Sequence, residues 1–419
     1  MPARGRRLAW LDALRGIAAL FVVLNHLDFL VLKQVRSAMA PAFDPGLYGV
    51  FVFFMVSGYI VPASLEHKGS IRNFWISRCF RLFPLFAVAI AGVYVLSRFG
   101  YGGLRDDDAH RAAAVLAHGL MLNDLLGVTN AINVLWTLSY EMVFYLLLTA
   151  LFTMGAHRRS GRLALAFAAA ALLLGGVLPT VWLSQTSLGP TRVALAADLL
   201  VIGGLAVAVA GRRLSRTVGA MLAAGTGLTL VAINERVNPY EGLTILALMF
   251  SGTMLYGAER GQVSRRQAVI FAVAVFTATI AAGAWHIPAT SPGYDMITTQ
   301  RQWVISLALA GLTFAFGMVL RRRPVPPVLA WLGLVSYSLY LLQPLLISVY
   351  KHTSWTRGDH PLRQQLALAA GFLAVLLGLS SVTYYLVEAP MQHAGRGLAR
   401  RLDARFGPDR LAPAGARGS

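Results

Sequence analysis

The sequence predicts an all-α protein, a polytopic integral membrane helix bundle with about 10–12 transmembrane helices. Hydrophobic residues account for 57% of the 419 residues and charged residues for only 13%. An average soluble chain has about 45–50% apolar residues, glycine included, and about 25% charged residues. The mean hydropathy of +0.61 points the same way. A soluble core cannot bury this much apolar surface, and the composition also excludes a disordered chain, a disulfide scaffold and an ordinary soluble enzyme.

The predicted transmembrane helices are apolar stretches close to the ~20 residues that cross a bilayer. They lie at 13–32, 47–65, 82–98, 133–154, 163–183, 193–210, 217–233, 243–258, 267–285, 302–320, 328–349 and 364–386. A shorter stretch at 113–127 carries His118, Asn123 and Asp124. Such polar groups are tolerated at membrane depth only where protein or water shields them, so we expect a re-entrant or surface helix there.

Basic residues determine the predicted orientation. When the N-terminus is placed inside and the spans alternate, most arginines fall in inner loops, for example at 158–162 and 321–323. The outer loops carry acidic residues, for example at 106–108. Because cytoplasmic loops collect Lys and Arg, we expect both termini to be cytoplasmic. The same rule explains the net charge of +19, and no nucleic-acid partner is predicted.

The chain divides into a membrane domain at residues 1–390 and a tail at residues 391–419. The tail is rich in Arg, Gly and Pro, a composition typical of a basic, loosely ordered cytoplasmic segment on the membrane surface. Cys79 is the single cysteine, which excludes a Cys-based metal cluster. No metal site is predicted.

The first predicted helix contains two ionisable side chains, which are costly inside a membrane and therefore point to function. Arg15 and His26 are eleven residues apart, which places them on one helix face with about 16 Å between them along the axis. A histidine in an apolar helix can act as a general base, and an arginine at the inner end can bind a phosphate or carboxylate. A hydrogen-bonded core histidine and a snorkelling arginine explain the same pattern.

Two later segments add charged residues. In IRNFWISRCFRLFP, Arg78 and Arg81 share a helix face and can hold a polyphosphate, although the excess of basic residues in inner loops also accounts for them. In NVLWTLSYEMVFYLLL, Glu141 lies in an apolar helix, with Tyr145 one turn later and Trp136 near its start. A buried glutamate must be paired or protonated. It can orient a histidine, bind an acceptor hydroxyl or form a structural ion pair.

Two further patterns lie near the C-terminus. Tyr337, Tyr340 and Gln343 form a polar stripe at i, i+3 and i+6, and YYLVEAPMQH ends the last predicted helix with Glu388 and Pro390. Each pattern is weak alone, because aromatic stripes usually indicate packing.

Taken in order, these segments resemble the membrane-bound acyltransferase family 3, whose members O-acetylate lipopolysaccharide, peptidoglycan, exopolysaccharide, Nod factors and macrolides. The resemblance runs from residue 11 to residue 390. The matching segments are LDALRGIAALFVVLNH, GVFVFFMVSGYI, RCFRLFP, LWTLSYEMVFY and VSYSLYLLQPLL, with a closing EAP.

The resemblance implies an O-acyltransferase in the bacterial cytoplasmic (inner) membrane. It implies transfer of an acyl group, usually acetyl, from acetyl-CoA or another acyl-CoA to a hydroxyl of a carbohydrate or macrolide-like acceptor, with no permanently bound cofactor. We expect His26 to serve as base or acyl carrier and Glu141 to orient the histidine or the acceptor. The residues expected to bind acyl-CoA are Arg15, Arg78 and Arg81. Those expected near the acceptor or the oxyanion are Trp136, Ser139 and Tyr145.

One position departs from the family. Many relatives have His where this chain has Gln343, and Gln cannot exchange protons near neutral pH, so we do not expect position 343 to be catalytic. This sequence also lacks the C-terminal hydrolase-like domain of some relatives. We therefore expect transfer to finish within the membrane domain, or a partner protein to complete it.

Two other classes compete with an enzyme. A transporter or flippase for a lipid-linked sugar also fits many spans and charges at midplane, but no repeat halves are visible in the sequence. A purely structural assembly protein leaves His26 and Glu141 without an explanation.

Overall fold

The computed structural model describes residues 9–28, 30–101, 111–287, 299–353, 356, 360–407 and 409. Regular structure in these residues is helical. The first helices are α1 (Ala9–Asp28), α2 (Lys33–Met39), α3 (Pro45–Lys68), α4 (Ile71–Arg98), α5 (Arg111–Gly119), α6 (Trp136–Thr153), α7 (Ser160–Leu174) and α8 (Trp182–Gln185). They are followed by α9 (Gly189–Ala210), α10 (Arg213–Ile233), α11 (Pro239–Glu259), α12 (Arg265–His286), α13 (Gln300–Leu320), α14 (Pro327–Leu334), α15 (Ser336–Tyr350), α16 (Leu362–Thr383) and α17 (Ala389–Phe406).

The predicted fold class is confirmed. In the described part of the chain, ten helices are long and apolar enough to cross a membrane. The number becomes eleven if α14 and α15, which are bent by 64° at their junction, form one broken span. The protein is therefore a polytopic all-α integral membrane protein.

The stretch predicted to span at 163–183 is the exception. It forms α7, which ends at Leu174, and the four-residue α8. Gly175, Gly176 and Pro179 lie between the two helices, and glycine and proline are the residues least compatible with a helix interior. The hydropathy pattern therefore identified the segment, but the helix that forms is only 15 residues long.

Helices α3, α6 and α11 form the centre of the bundle. In their apolar stretches 78–83% of the residues are buried, against 22–28% in α4, α12 and α13. Small residues let α3 and α11 approach closely. A Cβ on Gly58 would lie 2.0 Å from the Met249 carbonyl oxygen, and one on Gly252 would lie 2.4 Å from that of Met55. Glycine at both positions thus brings the two helices into backbone contact.

The short segment predicted at 113–127 folds as α5 followed by a 3₁₀ turn at Asn123–Leu125. Asn123 and Asp124 are 0% and 3% exposed. His118 accepts a hydrogen bond at Nε2 from the Ala131 backbone N–H, at 3.1 Å. Burial lowers the pKa of His118 and raises that of Asp124. The segment is thus a short helix and turn shielded by surrounding protein.

The C-terminal segment is more ordered than its composition suggests. We expected residues from 391 onward to be loosely ordered, but the structure has α17 up to Phe406. The Asp403 carboxylate lies 2.5 Å from Arg72 Nη2, and the Asp409 carboxylate lies 2.6 Å from Arg216 Nη1. These ion pairs hold α17 and Asp409 against the start of α4 and against α10. Residues 410–419 lie outside the described residues.

Candidate functional site

The end of the bundle where α1 begins contains a cluster of buried charges. Arg15 on α1 interacts electrostatically with Glu141 on α6 and with Glu388 just before α17, and it repels Arg81 on α4. Glu141 and Glu388 are 7% and 3% exposed, and the side chain of Arg15 is 11% exposed. Asp12 adds a weak contact with Arg15 at 3.9 Å. We call Arg15, Arg81, Glu141 and Glu388 the charge cluster. The first and last of the four, Arg15 and Glu388, lie more than 300 residues apart in the chain.

Arg78 is directed inward rather than toward the bundle end. Its guanidinium donates a hydrogen bond to Ser64 Oγ at 3.0 Å and lies over the rings of Phe74 and Tyr145, at 5.4 and 5.5 Å from their centroids. The Tyr145 hydroxyl in turn donates a hydrogen bond to Glu141 Oε1. Arg78 is 5% exposed, so it connects to the charge cluster through Tyr145.

Glu388 belongs to the site although the sequence did not single it out as a site residue. It accepts a hydrogen bond from Ser338 Oγ at 2.5 Å and interacts electrostatically with Arg81 and Arg15. Glu388 lies in a π-helical turn, Tyr384–Glu388, between α16 and α17. Such turns insert one extra residue, change which side chains face inward and occur frequently at functional sites. The closing EAP of the family pattern was the signal that pointed to it.

A small cavity lies beside α1, between the positions of Arg15 and His26 along the helix. Its volume is about 10 Å³, close to the least space that holds one water molecule. Helices α1, α3, α6 and α15 line it, with the residues Ala18, Ala19, Val22, Gly49, Val50, Phe53, Thr137, Ser336 and Tyr340. On α1 the lining residues occupy the face between Arg15 and His26, as the eleven-residue spacing predicted. On α15 they are Ser336 and Tyr340, of which Tyr340 belongs to the Tyr337–Tyr340–Gln343 stripe.

The far end of this cavity lies one helical turn from His26 and Gln343. The two side chains interact with each other. Nδ1 of His26 and both amide heteroatoms of Gln343 are buried without a hydrogen-bond partner among the described residues. Gln343 is 0% exposed. Asp44 and Lys351 also interact electrostatically with His26.

Asp44 is held in place by the start of α3. Its carboxylate caps the helix by accepting a hydrogen bond from the Leu47 N–H at 2.8 Å. Burial raises the pKa of Asp44, while the Leu47 and Gly46 N–H groups and the nearby His26 lower it. A carboxyl group is therefore fixed beside the imidazole by an ordinary helix cap.

The remaining predicted residues are divided between the two faces of α6. Glu141 and Tyr145 face the charge cluster. The Ser139 hydroxyl accepts a hydrogen bond from the Asp124 N–H at 3.4 Å, and Ser139 lies about 200° around the helix from Glu141. Trp136 packs edge-on against Tyr140, with centroids 6.1 Å apart. The structure therefore does not bring Ser139 and Trp136 to the charge cluster.

A second polar cluster behind Ser139 escaped the sequence analysis. The Tyr140 hydroxyl donates a hydrogen bond to Glu235 Oε2 at 2.6 Å. Glu235 is 0% exposed, and its pKa is raised well above the ordinary value by burial. Arg236 donates its backbone N–H to the Asp124 carbonyl and its side chain to the Val128 carbonyl. These contacts join the loops around Asp124 and Glu235. The partners are 95 residues apart, so no local pattern marks them.

The arrangement as a whole is an elongated site. Cations and carboxylates lie at one end and a buried histidine at the other, about 16 Å apart along α1. No group of three His, Cys, Asp or Glu side chains in the described ranges could hold a metal ion. The cations of the charge cluster can hold an anionic group, and the small cavity beside α1 lies between them and the imidazole.

Comparison with known proteins agrees with the sequence pattern. A family model described as an acyltransferase domain matches residues 8–385. The chain is 37% identical over 102 residues to acyltransferase MdmB of Streptomyces mycarofaciens. This alignment covers 23% of this chain and 26% of the relative. It is 29% identical over 152 residues to peptidoglycan O-acetyltransferase OatA of Listeria monocytogenes, an alignment that covers 33% of this chain and 23% of the relative. It is 31% identical over 138 residues to nodulation protein 10 of Rhizobium leguminosarum, an alignment that covers 29% of this chain and 37% of the relative.

These matches are partial in length. The chain spans between 23% and 41% of the curated relatives it matches. The family model, in contrast, extends over nearly the whole chain, from the start of the helix that carries His26 to Tyr385, which lies within the π-helical turn and before Glu388.

Proposed function

The chain belongs to acyltransferase family 3, and on this premise we propose that it is an O-acyltransferase. It transfers an acyl group, most simply acetyl, from an acyl-CoA to a hydroxyl of a polar acceptor such as a carbohydrate or a macrolide-like molecule. Peptidoglycan, named for the relative OatA, is one acceptor of this chemical class.

The observation that carries the proposal is the placement of Arg15 and His26 on one face of α1, with the small side chains of Ala18 and Ala19 and a small cavity between them. An acyl-CoA has a polyphosphate at one end and a thioester at the end of a long, thin arm. Arg15 and Arg81 are the cations that bind the phosphates, since a guanidinium matches phosphate geometry. The arm follows the face of α1 that carries Ala18, Ala19 and Val22, where the surrounding helices separate to admit it, and this brings the thioester toward His26.

His26 supplies the reactive nitrogen. In one route the imidazole takes the proton of the acceptor hydroxyl while the oxygen bonds to the acyl carbon. In the other the imidazole itself is acylated and passes the acyl group on. In both routes the thiol of CoA leaves with a proton.

We propose for Glu141 a role other than orienting the histidine or the acceptor, close to the ion pair that the sequence also allowed. Its neighbours are Tyr145 and Arg15, and these lie at the charge cluster. We assign Glu141 to orienting Arg15 and the donor, and Arg78 to orienting Tyr145 and Glu141. Asp44 is the carboxylate beside His26.

The orientation follows from the charge distribution. The donor is a cytoplasmic metabolite, so the charge cluster faces the cytoplasm, and both termini lie on that side of a bacterial cytoplasmic membrane. This agrees with the excess of arginine in the loops assigned to the inside. A partner protein that carries the acyl group onward is compatible with this arrangement.

The proposal is tested with purified protein in detergent or nanodiscs. The protein is given acetyl-CoA and a set of polyols and glycans, and the release of CoA thiol and the mass of the acceptor are followed. Acceptor-dependent thiol release is expected from the wild type. Tight binding of a lipid-linked sugar without any consumption of thioester would favour the transporter class instead.

A further inference from the structure

Gln343 is fully buried, and it interacts with the side chain of His26 rather than with a group that joins two chain segments. Its side chain is 0% exposed, and neither Nε2 nor Oε1 makes a hydrogen bond to any described residue. Buried polar groups in folded proteins are nearly always hydrogen-bonded, because an unpaired one loses its water without compensation. An amide with both heteroatoms unpaired therefore calls for an explanation.

A second buried glutamine shows what a structural role looks like in the same protein. Gln365, at the start of α16, is 3% exposed. Its Oε1 accepts from the Gln34 N–H at 3.4 Å, and its Nε2 donates to the His360 carbonyl at 2.8 Å. Gln365 is hydrogen-bonded at both amide heteroatoms and joins two chain segments, whereas the side chain of Gln343 faces His26 with neither heteroatom in a hydrogen bond of normal geometry.

Gln343 lies beside another polar group that is incompletely paired. His26 Nδ1 is buried without a hydrogen-bond partner among the described residues, and His26 interacts with Gln343. The small cavity beside α1 reaches Val22 and Tyr340, each one helical turn from this pair. The amide of Gln343, the imidazole of His26 and the end of the cavity therefore lie close together.

We propose that Gln343 is a catalytic residue that binds the reacting acyl group, its Nε2–H donating to the acyl carbonyl oxygen beside His26. The inference rests on the proposed acyl transfer. As the hydroxyl oxygen bonds to the acyl carbon, its proton passes to His26 and negative charge develops on the carbonyl oxygen. Gln343 holds that oxyanion. The carbon–sulfur bond then breaks, and the departing thiolate takes the proton from the imidazolium.

A glutamine suits this task. Its amide donates a hydrogen bond without changing its protonation state, and a donor fixed in advance in a dry site is worth most in the transition state. Its Oε1 remains free to accept a hydrogen bond from the imidazolium N–H of His26. The sequence led us to expect that position 343 is not catalytic, and the inference departs from that expectation: Gln343 contacts the reacting atoms, although it exchanges no proton.

The test is Gln343→Leu, with Gln365→Leu as the matched control. The leucine at 343 removes two unpaired polar atoms, so the variant should melt at the same or a higher temperature. It should turn over about 10²-fold more slowly, the cost typical of one lost oxyanion donor. Gln365→Leu should melt at a lower temperature and, once folded, keep its turnover. Gln343→His, which restores an N–H donor, should recover part of the lost rate.

The outcomes separate this inference from the function on which it rests. If the wild type consumes no thioester with any acceptor, the proposed function fails. If the wild type is active and Gln343→Leu keeps its turnover, the inference about Gln343 fails while the function stands. A lower melting temperature for Gln343→Leu, with loss of activity in proportion to lost folded protein, would make Gln343 a structural residue and overturn the inference as well.

Discussion

Arg15 and His26 lie on the same face of α1, three helical turns apart, and the cavity between them is lined by Ala18, Ala19 and Val22. Arg15 belongs to the charge cluster. His26 lies near Gln343 and near Asp44, whose carboxylate caps α3. The distance between them, about 16 Å along the axis, separates the group that would hold the donor from the group that would perform the chemistry.

Arg81→Ala is expected to weaken acyl-CoA binding. Losing one charge-assisted contact costs about 1.5–3 kcal/mol, which is roughly 10- to 150-fold in affinity. Arg81→Lys should restore only part of it, because an ammonium cannot form the bidentate contact of a guanidinium. The measurement is CoA affinity by titration calorimetry. Arg98→Ala, at the exposed far end of the same helix, serves as control. If Arg81→Ala binds CoA as tightly as the control does, Arg81 does not bind the donor and serves only to orient the chain in the membrane.

Arg78→Ala is expected to act differently from Arg81→Ala. Arg78 is buried against Ser64 and the Tyr145 ring, so its loss should lower the melting temperature as well as CoA affinity. Arg81→Ala should leave the melting temperature nearly unchanged. Thermal unfolding of both variants side by side checks the distinction. Equal stability with equal loss of affinity would instead place both side chains directly on the phosphates.

Tyr145→Phe removes the hydrogen bond to Glu141. A buried bond to a charged acceptor contributes about 1.5–3 kcal/mol, so both stability and turnover should fall, because Glu141 and with it Arg15 lose their fixed positions. Tyr48→Phe is the control. It removes a hydrogen bond to Thr313 of 2.9 Å, away from the site, and should cost stability alone. Full turnover in Tyr145→Phe would disconnect the Tyr145–Glu141 pair from the reaction.

Glu235→Gln is expected to flatten the pH dependence of stability. Burial raises the pKa of Glu235, and the acidic neighbours Glu241 and Asp124 raise it further, while the Tyr140 hydroxyl lowers it. The folded state therefore holds a proton that the unfolded state releases. The stability that this proton contributes is complete below the pKa of Glu235 in the unfolded state. It is lost as pH rises through the pKa of Glu235 in the folded state. As pH rises from about 5 to about 9, the melting temperature of the wild type should fall, and that of the glutamine variant should vary less. An equally steep profile in both proteins would refute this assignment.

Asp409→Ala is expected to release the C-terminal helix. Asp409 pairs with Arg216 at 2.6 Å and accepts from the Arg72 N–H and Ser70 Oγ. Without it, proteolysis within 391–406 should become faster while the transmembrane core stays folded, since the end of α17 then depends on the contacts of Asp403 with Arg72 and Asn73. Arg405→Ala, an exposed change near the end of α17, is the control. Unchanged cleavage in Asp409→Ala would show that packing of α17 on α4 suffices to hold it.

The sequence predicted those features that depend on local periodicity. Hydropathy located the spans, and the 3.6-residue repeat placed Arg15 with His26 and Tyr337 with Tyr340 and Gln343 on single faces. The same arithmetic separates Ser139 from Glu141, which the family pattern had grouped together. Motif membership was therefore a weaker guide to position than helix geometry.

Other features depend on tertiary contacts or on irregular backbone. The π-helical turn shifts the helix register just before Glu388, and no repeat in the sequence signals it. The pairing of Tyr140 with Glu235 and that of Arg72 with Asp403 join residues far apart in the chain. The unpaired state of Gln343 is visible only when its neighbours are known, because composition alone makes it one more polar residue in an apolar helix.

The central claim is that His26 performs proton or acyl-transfer chemistry at the end of the cavity, and the His26→Gln variant tests it most directly. Glutamine keeps a similar size and a hydrogen bond and removes the exchangeable proton. Acetyl-CoA binding and acceptor-dependent thiol release are measured on the same folded preparation. The account predicts CoA affinity close to that of the wild type and turnover at or below about 1%, because a positioned base contributes roughly 10²–10⁴-fold. A well-folded His26→Gln protein with substantial turnover would contradict it.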